Sequence, residues 1–181
     1  STRKHPITGV SEFPLLDEQR PEPAPEPPAD TRAPVAEPGH VHVETAWPQD
    51  RLADPYEELR ENAGDATVFL ANLGPISVHT ARATFAANLF AAGGVRAVSD
   101  EGHQDADSAA RAFADSGADI ACICSSDDVY GELAAATAAA LKQAGARRVY
   151  LAGKGDYDGV DEYIHLGVDV LDVLTRAEAA R

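Results

Sequence analysis

The residues of this sequence best placed to do chemistry lie in Asn72-Leu73-Gly74-Pro75-Ile76-Ser77-Val78-His79, which leads from an apolar run into a helix-forming stretch. An imidazole there, with Ser77 two residues before and Arg82 three after, could ligate a transition metal. The commoner arrangement is a helix-start histidine bonded to nearby backbone, and that is the expectation for His79. Two further segments, Ser125-Ser126-Asp127 and Gly153-Lys154-Gly155, would border it if the apolar runs before them are neighbouring strands. Gly153-Lys154-Gly155 lacks the spaced first glycine and the Ser/Thr after lysine that a phosphate loop needs, so nucleotide binding is not expected. Cys122 and Cys124 sit two apart in one apparent strand, on the same face, where they do not pair. Two small buried thiols suit a reducing, cytoplasmic setting. His40 and His42 fall in a proline-rich stretch and His103 in an acidic loop; solvated positions with at most adventitious metal contact are expected for all three. No Ser/His/Asp or Cys/His constellation can be argued from position.

The elements that would hold these residues follow from two alternating periods. Apolar strands are expected at 67–73, 95–98, 119–124, 147–152 and 168–171. Helices are expected at 80–92, 105–116, 128–144, 160–166 and from Thr175, with turn glycines such as Gly93-Gly94, Gly117 and Gly145 behind them. Near-continuous apolar strands alternating with helices imply a parallel sheet covered on both faces. The fold class expected is α/β: a flavodoxin-like (Rossmann-like), doubly wound five-stranded parallel sheet in 2-1-3-4-5 order. In such a sheet ligands bind beyond the carboxyl ends of the strands, which is where His79 falls.

The N-terminal third reads differently. Nine of the twelve prolines lie between Pro14 and Pro48, and Pro-Glu-Pro-Ala-Pro-Glu-Pro-Pro favours extended chain without a core. Pro6-Ile7-Thr8-Gly9-Val10 reads as a short β segment, and Asp50 through Asn62 as a helix with Pro55 tolerated in its first turn. The divisions expected are 1–12, a proline-rich linker at 13–48, a linker helix at 49–64 and the α/β domain at 65–181. The net charge of -15 repels phosphate backbones and anionic headgroups, so nucleic acid and membrane partners are not expected. No apolar run approaches the roughly 20 residues of a membrane span. The abrupt start at Ser1 and the absence of methionine suit a piece of a longer chain.

Ser77-Val78-His79-Thr80-Ala81-Arg82 lies where cobalamin-binding domains carry Asp-x-His-x-x-Gly. The run from Ala81 to Gly94 (ARATFAANLFAAGG) resembles the small, non-catalytic subunit of heterodimeric methylmalonyl-CoA mutases. Arg51 to Arg60 resembles the helix before that domain, and Pro6 to Val10 the last part of the preceding barrel domain. The resemblance implies a domain of the cobalamin-binding type. In the family the histidine is the lower cobalt ligand, the aspartate holds it, and the glycine leaves room for the displaced nucleotide tail. Here Ser77 stands for the carboxylate and Arg82 for the glycine. Cys124-Ser125-Ser126 and Ala152-Gly153 likewise depart from the family's Ser-x-Leu and Gly-Gly.

The resemblance therefore implies the C-terminal part of a structural subunit that has lost its own cobalamin site. It would bind no cofactor itself and would pair with the large catalytic subunit that carries adenosylcobalamin. The degenerate positions are Ser77, His79 and Arg82. Two alternatives stay open: a working cobalamin carrier with His79 on cobalt, and a free-standing flavodoxin-like module for a small ligand.

Overall fold

Short apolar runs bounded by glycine and aspartate become strands here, and the alanine-rich stretches between them become helices. The computed structural model describes residues 7–17 and 51–180. Helix α1 (Asp54–Ala63) leads into β1 (Thr67–Asn72), α2 (Ile76–Ala92), β2 (Arg96–Val98) and α3 (Ala106–Ser116). Then come β3 (Ile120–Cys124), α4 (Asp127–Gln143), β4 (Arg148–Ala152), β5 (Glu162–Ile164) and α5 (Val170–Ala179). The five strands form one all-parallel sheet in the order β2-β1-β3-β4-β5, as the alternating pattern predicts.

Side chains alternate across each strand, so one continuous apolar run serves two cores. Val68, Leu70, Ile120, Cys122, Cys124, Tyr150 and Ala152 face α1, α2 and α5. Phe69, Ala71, Ala121, Ile123, Val149 and Leu151 face α3 and α4. Burial on both faces is what strands of such uniform hydrophobicity require.

Helix ends follow local chemistry. Asp105 caps α3 by accepting a bond from the Ser108 amide at 2.7 Å, and Ser126 caps α4. Pro55 sits in the first turn of α1, where its missing N–H costs nothing.

Two expected elements are corrected at the end of the chain. The segment expected as a helix at 160–166 contains the edge strand β5, and the strand expected at 168–171 is instead the start of α5. Asp161 decides the first. Its amide donates to the Val149 carbonyl and its carboxylate accepts from the Val149 amide, both at 2.8 Å, which lays the chain alongside β4. Asp169 decides the second by accepting a bond from the Asp172 amide and so capping a helix. Short apolar segments cannot be sorted by periodicity alone. Among the described residues the domain thus has four helices around five strands, not five helices.

The β segment expected at 6–10 is also corrected within the described residues. Val10, Ser11 and Glu12 all donate to the Ile7 carbonyl, at 3.0, 2.9 and 3.2 Å, forming a turn with Gly9 at φ +81°. Arg60 holds this turn to the domain, bonding the Val10 carbonyl and, at 3.1 Å, the Ala92 carbonyl at the end of α2. Further along, Asp17 pairs with Arg96 at 2.7 Å. Residues 1–6 and most of the proline-rich linker, with His40 and His42, lie outside the described residues.

Candidate functional site

Helix α2 begins at Ile76, earlier than its periodicity suggests, so Ser77 and His79 stand in its first turn rather than in a loop. His79 is buried, and its Nδ1 lies 3.1 Å from the Gly74 carbonyl oxygen. A carbonyl only accepts, so Nδ1 carries the proton and donates it. That is the backbone-bonded arrangement expected for this residue. Ser77 is exposed on the same turn and makes no bond to the ring. The loop after β2 crosses directly above: a Cβ on Gly102 would lie 2.1 Å from the Gly74 oxygen and 3.0 Å from the His79 ring. Only glycine fits there, and its closeness fixes how the imidazole sits.

Arg82, one turn further along α2, reaches across the carboxyl edge of the sheet to α4. Its Nη2 donates to Asp127 at 2.7 Å, and its guanidinium carbon stands 5.0 Å from the centre of the Tyr130 ring. A Cβ on Gly153 would come within 3.0 Å of Arg82 Nη1. Burial works against the charge, but the bond to Asp127 and the contact with Tyr130 hold the pKa above the usual arginine value.

Tyr130 is the member of this arrangement that sequence reasoning missed. Its hydroxyl accepts from the Ser125 amide and donates to the Ala152 carbonyl, both at 2.8 Å, so it ties β3 to β4. Ser125 in turn donates to the Leu73 carbonyl at 2.8 Å, tying β3 to β1. The signal available was Asp127 and Tyr130 three apart at the start of α4, a spacing that puts both on one helix face.

Burial pushes the Tyr130 phenol well above its usual range, and the Tyr150 phenol up to about 12. Both groups therefore titrate later in the folded than in the unfolded chain, whose tyrosines ionise near pH 10. Their contribution to stability is complete below that pH and is lost as pH rises from there through the folded values. Urea melts between pH 8 and 11.5 are expected to show stability falling steeply above about pH 10. Tyr130→Phe is expected to flatten that slope. It should also cost about 1–3 kcal/mol at neutral pH, because Ser125 and Ala152 lose a buried partner.

Beside Arg82 an open groove of about 490 Å³ runs between α2, the end of β4 and the turn after β5. Phe85, Ala152, Ile164 and Leu166 line it, with Lys154 and His165 at its margin. His79 is not part of its wall. The structure thus brings Arg82, Asp127, Gly153 and Lys154 together and leaves His79 and Ser77 apart from them.

The remaining candidates settle as follows. His103 is buried, with Nε2 2.9 Å from Asp100, and its backbone pairs with Asn72 and Gly74. It is a structural residue of the β2 loop and not a solvated one, which corrects the expectation. Cys122 and Cys124 are free and fully buried on one face, sulfurs 3.9 Å apart, and burial pushes the Cys122 thiol up. Among the described residues no three His, Cys, Asp or Glu side chains converge as a metal site, and no helix is long and apolar enough to cross a membrane.

Sheet order and the loops gathered at its carboxyl edge define the class: a doubly wound, flavodoxin-like α/β domain, an architecture consistent with domains of the cobalamin-binding type. No family model matches the chain. It is 52% identical to the methylmalonyl-CoA mutase small subunit of Streptomyces virginiae, over 96% of its own length. It is 35% identical to the probable small subunit of Mycobacterium tuberculosis and 32% identical to the small subunit of Propionibacterium freudenreichii subsp. shermanii, over 96% and 97% of its length. Across its own extent this chain is similar to the methylmalonyl-CoA mutase small subunits. It spans 27% of the length of each of these relatives.

Proposed function

We propose that this chain is the C-terminal part of the non-catalytic small subunit of an adenosylcobalamin-dependent methylmalonyl-CoA mutase. It acts as a structural half of a heterodimer, has lost its own cobalamin site and packs against the large catalytic subunit. In that enzyme the cofactor, held by the large subunit, supplies the radical that interconverts (R)-methylmalonyl-CoA and succinyl-CoA. This chain contributes shape and support. Residues 1–12 would be the end of a preceding barrel domain, 13–48 a linker laid along the partner, and the setting cytoplasmic.

The observation that carries the reading is Arg82. A bound nucleotide tail would need bare backbone at this position of α2. Instead a guanidinium spans to Asp127, lies over Tyr130 and abuts Gly153. Displacing it would break a charged hydrogen bond and the contact with Tyr130. The residues present do not fit the cofactor.

One observation favours the working carrier instead. With its proton on Nδ1, His79 keeps the Nε2 lone pair, the tautomer a metal would need. Ser77 places no anion behind the ring, however, and Gly74 supplies only a carbonyl dipole.

Titration of the folded chain with hydroxocobalamin separates the two. The visible spectrum of the corrinoid is expected to stay that of the free compound. A shift reporting imidazole on cobalt, abolished in His79→Ala, would reverse the reading. Co-expression with the large mutase subunit is expected to yield a stoichiometric complex on affinity capture, and large subunit recovered alone would count against the heterodimer.

A further inference from the structure

The groove beside Arg82 combines apolar walls with a local reversal of charge. In a chain of net charge -15, three groups able to carry positive charge (Arg82, Lys154 and His165) border it against one carboxylate, Asp127. Asp127 is already engaged by Arg82. The Lys154 ammonium has no ion-pair partner among the described residues. His165 places Nδ1 2.8 Å from the Leu166 carbonyl, leaving Nε2 without a partner among the described residues. At the rim Leu166 is 85% exposed, a large apolar side chain covering nothing of its own fold. The volume of about 490 Å³ lies within the range of small-ligand pockets. Its place, at the carboxyl ends of parallel strands, is where this architecture binds ligands.

We propose that this groove is a binding site for a small organic anion with a flat or branched apolar body, an aryl carboxylate, sulfonate or phosphate monoester. The apolar body lies against Phe85 and Leu166, and the anion meets Lys154 and the Arg82 side of the groove. A neutral ligand of the same shape would leave the lysine unmatched, and an inorganic anion would leave the walls wet. Complementarity of sign at the margin therefore selects the class. The proposal rests on the reading that cobalamin does not occupy this end of the domain.

Anilinonaphthalene sulfonate serves as the probe, titrated into the folded chain with the neutral phenylnaphthylamine as control. Saturable one-to-one binding of the sulfonate is expected, at least about tenfold tighter than the neutral amine. Lys154→Glu should weaken it about tenfold, and Ala81→Trp, at an exposed position on the groove wall, should abolish it. Far-ultraviolet circular dichroism and the melting temperature of both variants are expected to match those of the parent chain. Sulfonate binding that survives Ala81→Trp, or equal binding of the neutral amine, would overturn the proposal. Running the same titrations beside hydroxocobalamin keeps the two readings distinct. A cobalt–imidazole spectrum overturns the structural-subunit reading, whereas failure of the sulfonate with an unchanged corrinoid spectrum overturns only the anion site.

Discussion

Replacing Phe90 with alanine is expected to remove roughly 3–5 kcal/mol of stability, read as a fall in the urea midpoint at constant slope. Phe90 is fully buried on the α1, α2 and α5 side of the sheet. Its ring meets Tyr150 edge-on, centroids 5.2 Å apart at 75°. Truncation therefore loses the transfer energy of the ring, the aromatic contact and the packing around the void left between α2 and β4. A domain of this size is stable by about 5–15 kcal/mol, so the variant should lose a large share of its margin of stability. Phe90→Leu, which keeps most of the volume, is expected to recover much of the loss. A loss below about 1.5 kcal/mol for the alanine variant would mean that this face of the core is not packed as described.

The second large effect is expected at Gly94, where alanine should cost about 2–4 kcal/mol, combining a left-handed backbone with overpacking. Gly94 has φ +82°, and a Cβ there would stand 2.7 Å from the Ala63 Cβ and 3.0 Å from the Arg60 Cα. Both neighbours belong to α1, one of them backbone, so relief requires moving the helix. Hydrogen exchange is the discriminating measurement. Amides of α1 should lose protection in Gly94→Ala, while those of β3 and β4, in the middle of the sheet, should keep theirs down to the lowered global stability. Uniform loss across all elements would show that α1 is not the element displaced.

Gly94 also shows how far the sequence can be read. Gly93-Gly94 behind an alanine-rich run signals the end of a helix, because glycine adopts the left-handed conformation that helix ends use. The same pair is also where three helices close: Gly93 admits the Leu174 side chain of α5, and Gly94 admits α1. That second role has no local signature. The strands tell the same story in reverse. The apolar runs around Phe69, Ile123 and Leu151 announce a sheet buried on both faces, and its order follows from right-handed crossovers. At 160–171 the runs are too short for periodicity to decide, and the outcome turned on Asp161 reaching β4 and Asp169 capping α5.

The site divides along the same line. That Ser77 and Arg82 flank His79 at fixed spacing is a matter of side-chain type, and residue order alone carries it. Where the guanidinium goes is not. Asp127, Tyr130 and Gly153 lie 45 or more residues from Arg82 along the chain, and only the folding of β1, β3 and β4 side by side brings them within reach of one side chain. Local composition and spacing determined the class of fold, the edge of the sheet at which the candidate residues fall and the side-chain types around His79, because each depends on backbone propensity or on residue identity at near positions. Tertiary structure alone decided that His79 turns to a carbonyl, that Tyr130 knits the strand ends together, and that a charged groove opens beside them. Those outcomes depend on contacts between distant residues, and a linear order of side chains does not contain their distances.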